Sequence, residues 1–234
     1  MTSYAVDELP WPEVAGALEH DARLIVPVGA LEQHGPHLPL GANTRIAERV
    51  AREVSQRLGI LRAPAFSYGT IVGKGSFAGA AGLGRKTLHR AVNELFAHWE
   101  DDGVREFVII TAHRYEPHLE ALLMALTDRS VNSVYDLYRI DVSDLVASDP
   151  ESEHGGELET SLLLHLAPEL VRVDHMRNSA LEGRALRKYM RRRVPAPPPG
   201  SSGAVGHPLS ATPEKGERIF LRYVGRLCSW LVES

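Results

Sequence analysis

A chain of 234 residues, 44 % of them hydrophobic, is long enough to bury one large core. Its formal charge of −4 provides no field that would draw nucleic acid or an anionic bilayer to the surface, and no apolar stretch approaches the roughly 18 residues of a membrane span. The first dozen residues lack a basic segment followed by an apolar one, and the single cysteine, Cys228, has no internal partner. A cytoplasmic protein with one domain over 1–234 is expected.

In chain order, Leu24 to Val28 is a short run rich in β-branched residues that ends at Gly29, and it predicts a buried strand. The following Glu32-Gln33-His34-Gly35-Pro36-His37 is then a strand-end loop. Glu32 and His34, two apart, point the same way in extended backbone with about 7 Å between their α-carbons. That spacing suits two ligands of one metal, or one ligand for each of two; the plain alternative is a polar loop with solvated histidines. Ile46, Ala47, Val50, Val54 and Leu58 recur at helical spacing up to Gly59, a helix stop. Asn43 or Thr44 is its expected N-cap, which sets Asn43 at the mouth of the loop near Glu32.

A second strand is expected over Ile60 to Phe66, then a glycine-rich stretch with Gly69, Gly73, Gly75, Gly79, Gly82 and Gly84. It has no phosphate-binding fingerprint and reads as a wall or lid of the site. Lys86 to Asp101 predicts a helix with Leu88, Val92, Phe96 and Trp99 on one face, leading to a strand at Glu106 to Ile110 and then Thr111-Ala112-His113, a second strand end with a histidine. Glu116 to Leu126 is helical, Ser133 to Ile140 strand-like and Glu157 to Leu166 helical. Strands alternating with such helices imply a mostly parallel sheet covered on both faces, with sites gathered at the carboxyl ends of strands.

A third polar cluster runs from Glu153 through His154, Gly155 and Gly156 to Glu159. It places His154 on a loop and Glu159 in a first helical turn, where carboxylates also serve simply to favour the dipole. Arg191, Arg192 and Arg193 read as a solvated face, and 194–203, rich in Pro, Gly and Ser, as an exposed mobile loop that joins neither sheet nor helix. Thr212-Pro213-Glu214 opens a last helix to about Val232, with Cys228 as a small core residue. His118, His165 and His175 are read as surface or satisfied core histidines. Tyr68, Phe77, Arg114 and Tyr115 flank the loops as candidates for substrate selection. Arg114 either binds a carboxylate or phosphate or neutralises Glu116.

The string LIVPVGALEQHGPHLPLGANTRIAE resembles the signature of the creatininase, or creatinine amidohydrolase, family. HGGELETSLLLHLAPELV is similar to that family's HAGExETS segment, and GHPLSATPEKGERIF to its C-terminal region; together the likeness spans most of 20–225. The resemblance implies an α/β three-layer sandwich, a mostly parallel sheet with helices on both faces, assembled as a homo-oligomer, usually a hexamer. It implies a divalent metal centre, zinc first with manganese or iron as alternatives, acting on a small-molecule substrate. Family members cleave amide-type C–N bonds in creatinine, in a formamidopyrimidine and in the mycofactocin peptide. The implied function is thus metal-dependent hydrolysis of a cyclic amide, formamide or peptide, possible in a biosynthetic pathway. The alternatives are a diverged site for amide exchange, lactone opening or isomerisation, and a non-catalytic binding or assembly subunit.

Carried over residue by residue, the resemblance makes Glu32, His34 and His113 metal ligands and His154 the proton shuttle. Glu159 is its acidic partner, itself a ligand in many members. His37 follows the family pattern as a substrate contact or a structural hydrogen bond, and Arg114 and Tyr115 are further substrate contacts. Two departures stand out. Asn43 replaces an Asp that bridges two metals; an amide oxygen ligates but lacks the charge to hold two dications together, which leaves one or two ions open. In TAHRYEPHLE, Arg114 is inserted before Tyr115-Glu116, so Glu116 is either a ligand or the first acid of the next helix.

Overall fold

The computed structural model describes residues 3–72, 77–125 and 130–233. In chain order it contains α1 (Trp11–His20), β1 (Arg23–Val28), α2 (Ala42–Leu58), β2 (Leu61–Arg62), α3 (Arg85–Asp101), β3 (Glu106–Thr111), α4 (Glu116–Leu123) and β4 (Val131–Asp136). There follow α5 (Glu157–Leu166), α6 (Gly183–Tyr189), a ribbon of β5 (Met190–Arg191) and β6 (Val194–Pro195), and α7 (Pro213–Glu233). The main sheet has the order β2-β1-β3-β4, and every pairing in it is parallel.

The pleat divides the core into two layers, as the period of two in a strand requires. Ile25, Val108 and Ile110 point to a layer built with α2, α5 and α7; Leu24, Val26, Val28, Phe107 and Ile109 point to one built with α1, α3 and α4. Because both faces are covered, β1 and β3 read as unbroken apolar runs, the pattern of a buried parallel sheet. Phe107 stacks on Phe96 of α3 at 3.9 Å between centroids, and Trp99 leans on the same ring. Burial of each such side chain stabilises the fold by roughly 1.5–3 kcal/mol. The expected α/β three-layer sandwich is the observed fold.

Several elements differ from the sequence reading. The strand expected over Ile60 to Phe66 shortens to Leu61–Arg62, because Pro64 has no N–H for the ladder. The chain still follows β1 through bonds such as Phe66 N–H to the Pro27 carbonyl at 2.9 Å. The strand expected over Ser133 to Ile140 begins earlier and gives way after Asp136 to a 3₁₀ turn, capped by the Asp136 carboxylate. Helices α1 and α6 were not expected. Leu126, Gly73 and Gly75 lie outside the described residues. No described helix is long and apolar enough to cross a membrane.

The segment 194–203 does join a strand pair: β6 is antiparallel to β5, and Val194 is buried. The turn between them places Arg192 and Arg193 at φ 46° and 74°, as a type I′ hairpin turn demands. Arg193 reaches Asp136 at 3.4 Å, so this arginine run is not simply a solvated face.

Candidate metal and catalytic site

Three loops meet at the carboxyl edge of the sheet. The first leaves β1 and turns beneath the N-terminus of α2. Gly29 allows this approach, since a Cβ there would lie 2.3 Å from the Thr44 α-carbon. The Glu32 N–H donates to the Leu40 carbonyl at 2.9 Å and holds the loop back on itself. Helix α2 starts at Ala42 with Gly41 at its N-cap, so neither Asn43 nor Thr44 caps it. Asn43 instead stands in the first turn, with its amide turned to the site.

That amide lies between two histidines. Its Oδ1 is 3.0 Å from His34 Nε2, and its Nδ2 is 3.1 Å from His113 Nδ1. His113 arrives on the second loop, just past β3, and its Nε2–H donates to the Thr70 carbonyl at 2.8 Å. The third loop carries His154, whose Nε2–H donates to the Gln33 carbonyl at 2.7 Å. Gly155, at φ +67°, packs this loop on the first: a Cβ would lie 2.6 Å from the His34 carbonyl oxygen. Glu159, in the first turn of α5, brings Oε1 to 3.6 Å from His34 Nε2 and accepts from the Tyr138 hydroxyl and the Gly155 N–H.

Glu32, His34, Asn43, His113, His154 and Glu159 are all buried. Glu32, His34 and His154 each offer one ligand atom within 4.8 Å of the others, and the rings of His34 and His154 are 4.5 Å apart. Glu32 Oε1 accepts from the Val72 N–H at 3.1 Å, while its Oε2 has no hydrogen-bond partner among the described residues. Burial pushes the Glu32 carboxyl up to about 7. Burial likewise lowers His113 to about 3 and His154 to about 4, so both imidazoles are neutral at physiological pH. For Glu159, burial alone would raise the pKa, but its interactions with the His34 and His154 rings, the Tyr138 hydroxyl and the Arg114 guanidinium hold it down to about 2.

This donor set fits a divalent transition ion. Neutral imidazoles and carboxylate oxygens are the ligands such ions take, and a buried carboxylate oxygen without a donor is costly until a cation or proton meets it. Above the cluster opens a cavity of about 490 Å³, lined by Glu32, Gln33, His154, Val72, Phe77 and residues 194–201. The glycine-rich stretch therefore supplies one wall of it, as its composition suggested.

Other expected positions fall elsewhere. Glu116 is exposed on the first turn of α4, its N–H bonded to the Arg192 carbonyl, and it is apart from the cluster. Of its two readings, the one that opens a helix describes its placement. Arg114 neither faces the cavity nor pairs with Glu116: it is buried, donates to the carbonyls of Pro150 and Glu153, and stacks its guanidinium 5.0 Å over the Tyr138 ring. His37 is fully buried with Nε2 3.0 Å from Thr160 Oγ1, and it is absent from the cavity lining. Tyr115 is half-buried at the N-cap of α4, 6.1 Å from the His113 ring.

His118 is a satisfied core histidine between the Thr70 N–H and Thr111 Oγ1, His165 is half-buried and His175 exposed. Tyr68 is largely exposed and absent from the cavity lining, whereas Phe77 belongs to it. Glu153, at the start of the third cluster, accepts from the backbone N–H groups of Glu157 and His207. Two contributors escaped the sequence reading, Tyr138 and Thr70. Tyr138 stands just beyond the carboxyl end of β4, where a strand-end search would have found it. The Thr70 carbonyl carries no side-chain signal.

A parallel sheet between helical layers, with a buried histidine and carboxylate cluster at the carboxyl edge, defines an α/β enzyme. A profile described as creatinine amidohydrolase matches residues 7–231. The chain belongs to the creatininase family, amidohydrolases that act on C–N bonds. It is 33 % identical over 225 residues to a mycofactocin precursor peptide peptidase of Mycobacterium ulcerans (strain Agy99), covering 88 % of this chain and 85 % of that protein. It is 32 % identical over 199 residues to a creatinine amidohydrolase of Pseudomonas putida, covering 74 % and 76 %. Among solved structures, a creatininase variant of Zn–Zn type superposes with a TM-score of 0.80 at 27 % identity, covering 100 % of this chain and 98 % of that one.

Proposed function

We propose that this protein is a metal-dependent amidohydrolase that cleaves the C–N bond of a small cyclic amide, a formamide or a short peptide, in a biosynthetic setting like that of its peptidase relatives. The observation that carries the reading is the unpartnered, buried Glu32 Oε2 in a cluster with His34 and His154 at the floor of a cavity. Glu32, His34 and Glu159, with the Asn43 oxygen, are the residues that would hold a divalent ion, zinc before manganese or iron. When bound, such an ion polarises the amide carbonyl and lowers the pKa of water towards neutrality.

The chain's own residues supply the rest. His154 borders the cavity, with its Nε2–H committed to the Gln33 carbonyl. Its Nδ1 therefore carries the lone pair, takes a proton from the attacking water and returns it to the leaving nitrogen. Glu159, held anionic beside His34 and His154, stabilises the imidazolium formed in that transfer. Phe77 and residues 194–201 enclose the substrate and keep bulk water from the reacting carbonyl.

The test is a panel of lactams, formamides and short peptides, scored for newly released amine with native protein, with chelated protein, and after return of Zn²⁺ or Mn²⁺. Amine release that chelation abolishes and metal restores is the expected result. Turnover indifferent to chelation removes the metal from the mechanism, and absence of turnover across all three classes removes the hydrolase.

A further inference from the structure

Resting on the metal reading above, we infer that this centre takes one divalent cation, on the His34 side of Asn43, and that His113 is a positioning residue rather than a ligand. Asn43 Oδ1 and Nδ2 span the gap between His34 Nε2 and His113 Nδ1 at 3.0 and 3.1 Å. A carboxylate in that place would offer an oxygen to each side. An amide has one oxygen and one NH₂, so whichever way it is rotated, one of the two histidines faces an N–H that occupies its lone pair.

As the amide stands, its oxygen faces His34 and its N–H faces His113. His113 Nε2 faces the Thr70 carbonyl at 2.8 Å, which fixes its proton there and leaves the lone pair on Nδ1, where the Asn43 N–H donates. Both nitrogens of that ring are then paired, and Glu32 Oε2 lies 3.5 Å from the same Nδ1. His34 Nδ1 faces the Glu32 carbonyl at 3.0 Å, which puts its proton on Nδ1 and the lone pair on Nε2. That lone pair looks at Asn43 Oδ1 and at Glu159 Oε1, 3.6 Å away. Tyr138 uses one lone pair of Glu159 Oε1 and leaves another open. Three acceptors thus converge in the interior with no hydrogen between them, an arrangement that is repulsive until a cation enters.

Charge agrees with geometry. The cluster contains two carboxylates, Glu32 and Glu159, which balance one dication and leave a second uncompensated. Two dications a few Å apart repel strongly, and a neutral amide between them offsets none of it. Asn43 therefore sets the number of ions, and its N–H on His113 sets the side.

The experiment counts ions. Protein dialysed against metal-free buffer is titrated with Zn²⁺ or Mn²⁺, and tightly held ions per chain are read by native mass spectrometry and elemental analysis. One ion is expected in the wild type and in His113→Ala, and two in Asn43→Asp. With Mn²⁺, electron paramagnetic resonance distinguishes the isolated ion of the wild type from a spin-coupled pair in Asn43→Asp. Two ions in the wild type, one in Asn43→Asp, or loss of the ion from folded His113→Ala overturns the inference and leaves the hydrolase reading standing. No ion in the wild type, with a proton on His34 satisfying the acceptors instead, overturns both. Should His113→Ala fail to fold, the counts for the wild type and Asn43→Asp still decide.

Discussion

Glu32 and His154 form the floor of the cavity, backed by the buried His34, Asn43, His113 and Glu159, and the three histidines are aimed by hydrogen bonds to carbonyls. The facing wall, residues 194–201, presents proline rings and backbone from a short hairpin. On the floor, each residue type is fixed by the lone pair or proton it must present. On the wall, shape is what matters, so composition is free to vary as long as the surface is kept. The difference assigns chemistry to one side and substrate fit to the other.

The largest test strikes the floor. In metal-free protein His37, His113 and His154 are held neutral by burial, with pKa values of about 4, 3 and 4 against an ordinary 6.5. Below pH 6.5 the unfolded chain therefore binds protons that the folded protein does not, and stability falls as pH drops towards 4. Each histidine accounts for roughly 2 kcal/mol by pH 5. Glu32, raised to about 7, acts in the opposite sense, stabilising the fold as pH falls from 7 towards 4.5. In urea unfolding of chelated protein these four groups together remove roughly 3 kcal/mol between pH 7 and pH 5, and roughly 6 in Glu32→Gln, and His118, lowered in the same sense by burial, adds to the loss. A flat profile would mean that the floor is not kept neutral.

A smaller effect is expected on the wall. Phe77→Ala should raise KM about tenfold and leave kcat within about twofold, the signature of lost ground-state contact. A fall in kcat with KM unchanged would place Phe77 among the reacting groups and erase the distinction. The smallest effect belongs to Glu116, which touches neither side. Glu116→Gln should leave metal content unchanged and cost at most about 0.5 kcal/mol from the helix dipole. Loss of metal in that variant would return Glu116 to the ligand set.

The sheet, its two covering layers and the convergence of three polar loops were legible because β1 and β3 are apolar on both faces and each is followed by a histidine. Helix α1 was not, since Pro10 and Pro12 bracket the exposed Trp11 at its start and its apolar stripe is short. The burial of Arg114 depends on carbonyls at 150 and 153, far along the chain, which no local pattern announces. The hairpin under the wall turns through two arginines with positive φ, where Asn-Gly would have signalled it. Asn43 was conspicuous as a missing charge. Its meaning as a donor to one histidine and an acceptor for the other came only with the positions of the ring nitrogens.

Pro195, Pro197, Pro198 and Pro199 have no N–H, and that of Ala196 is spent on the Tyr189 carbonyl at 2.9 Å. The rim of the cavity consequently offers carbonyls with almost no amide donors beside them. An extended chain arriving at the mouth cannot zip onto it as an added strand, whether it comes from a peptide substrate or from a neighbouring molecule. Along this edge a peptide gains no strand pairing, and the edge is guarded against edge-to-edge aggregation by the same feature.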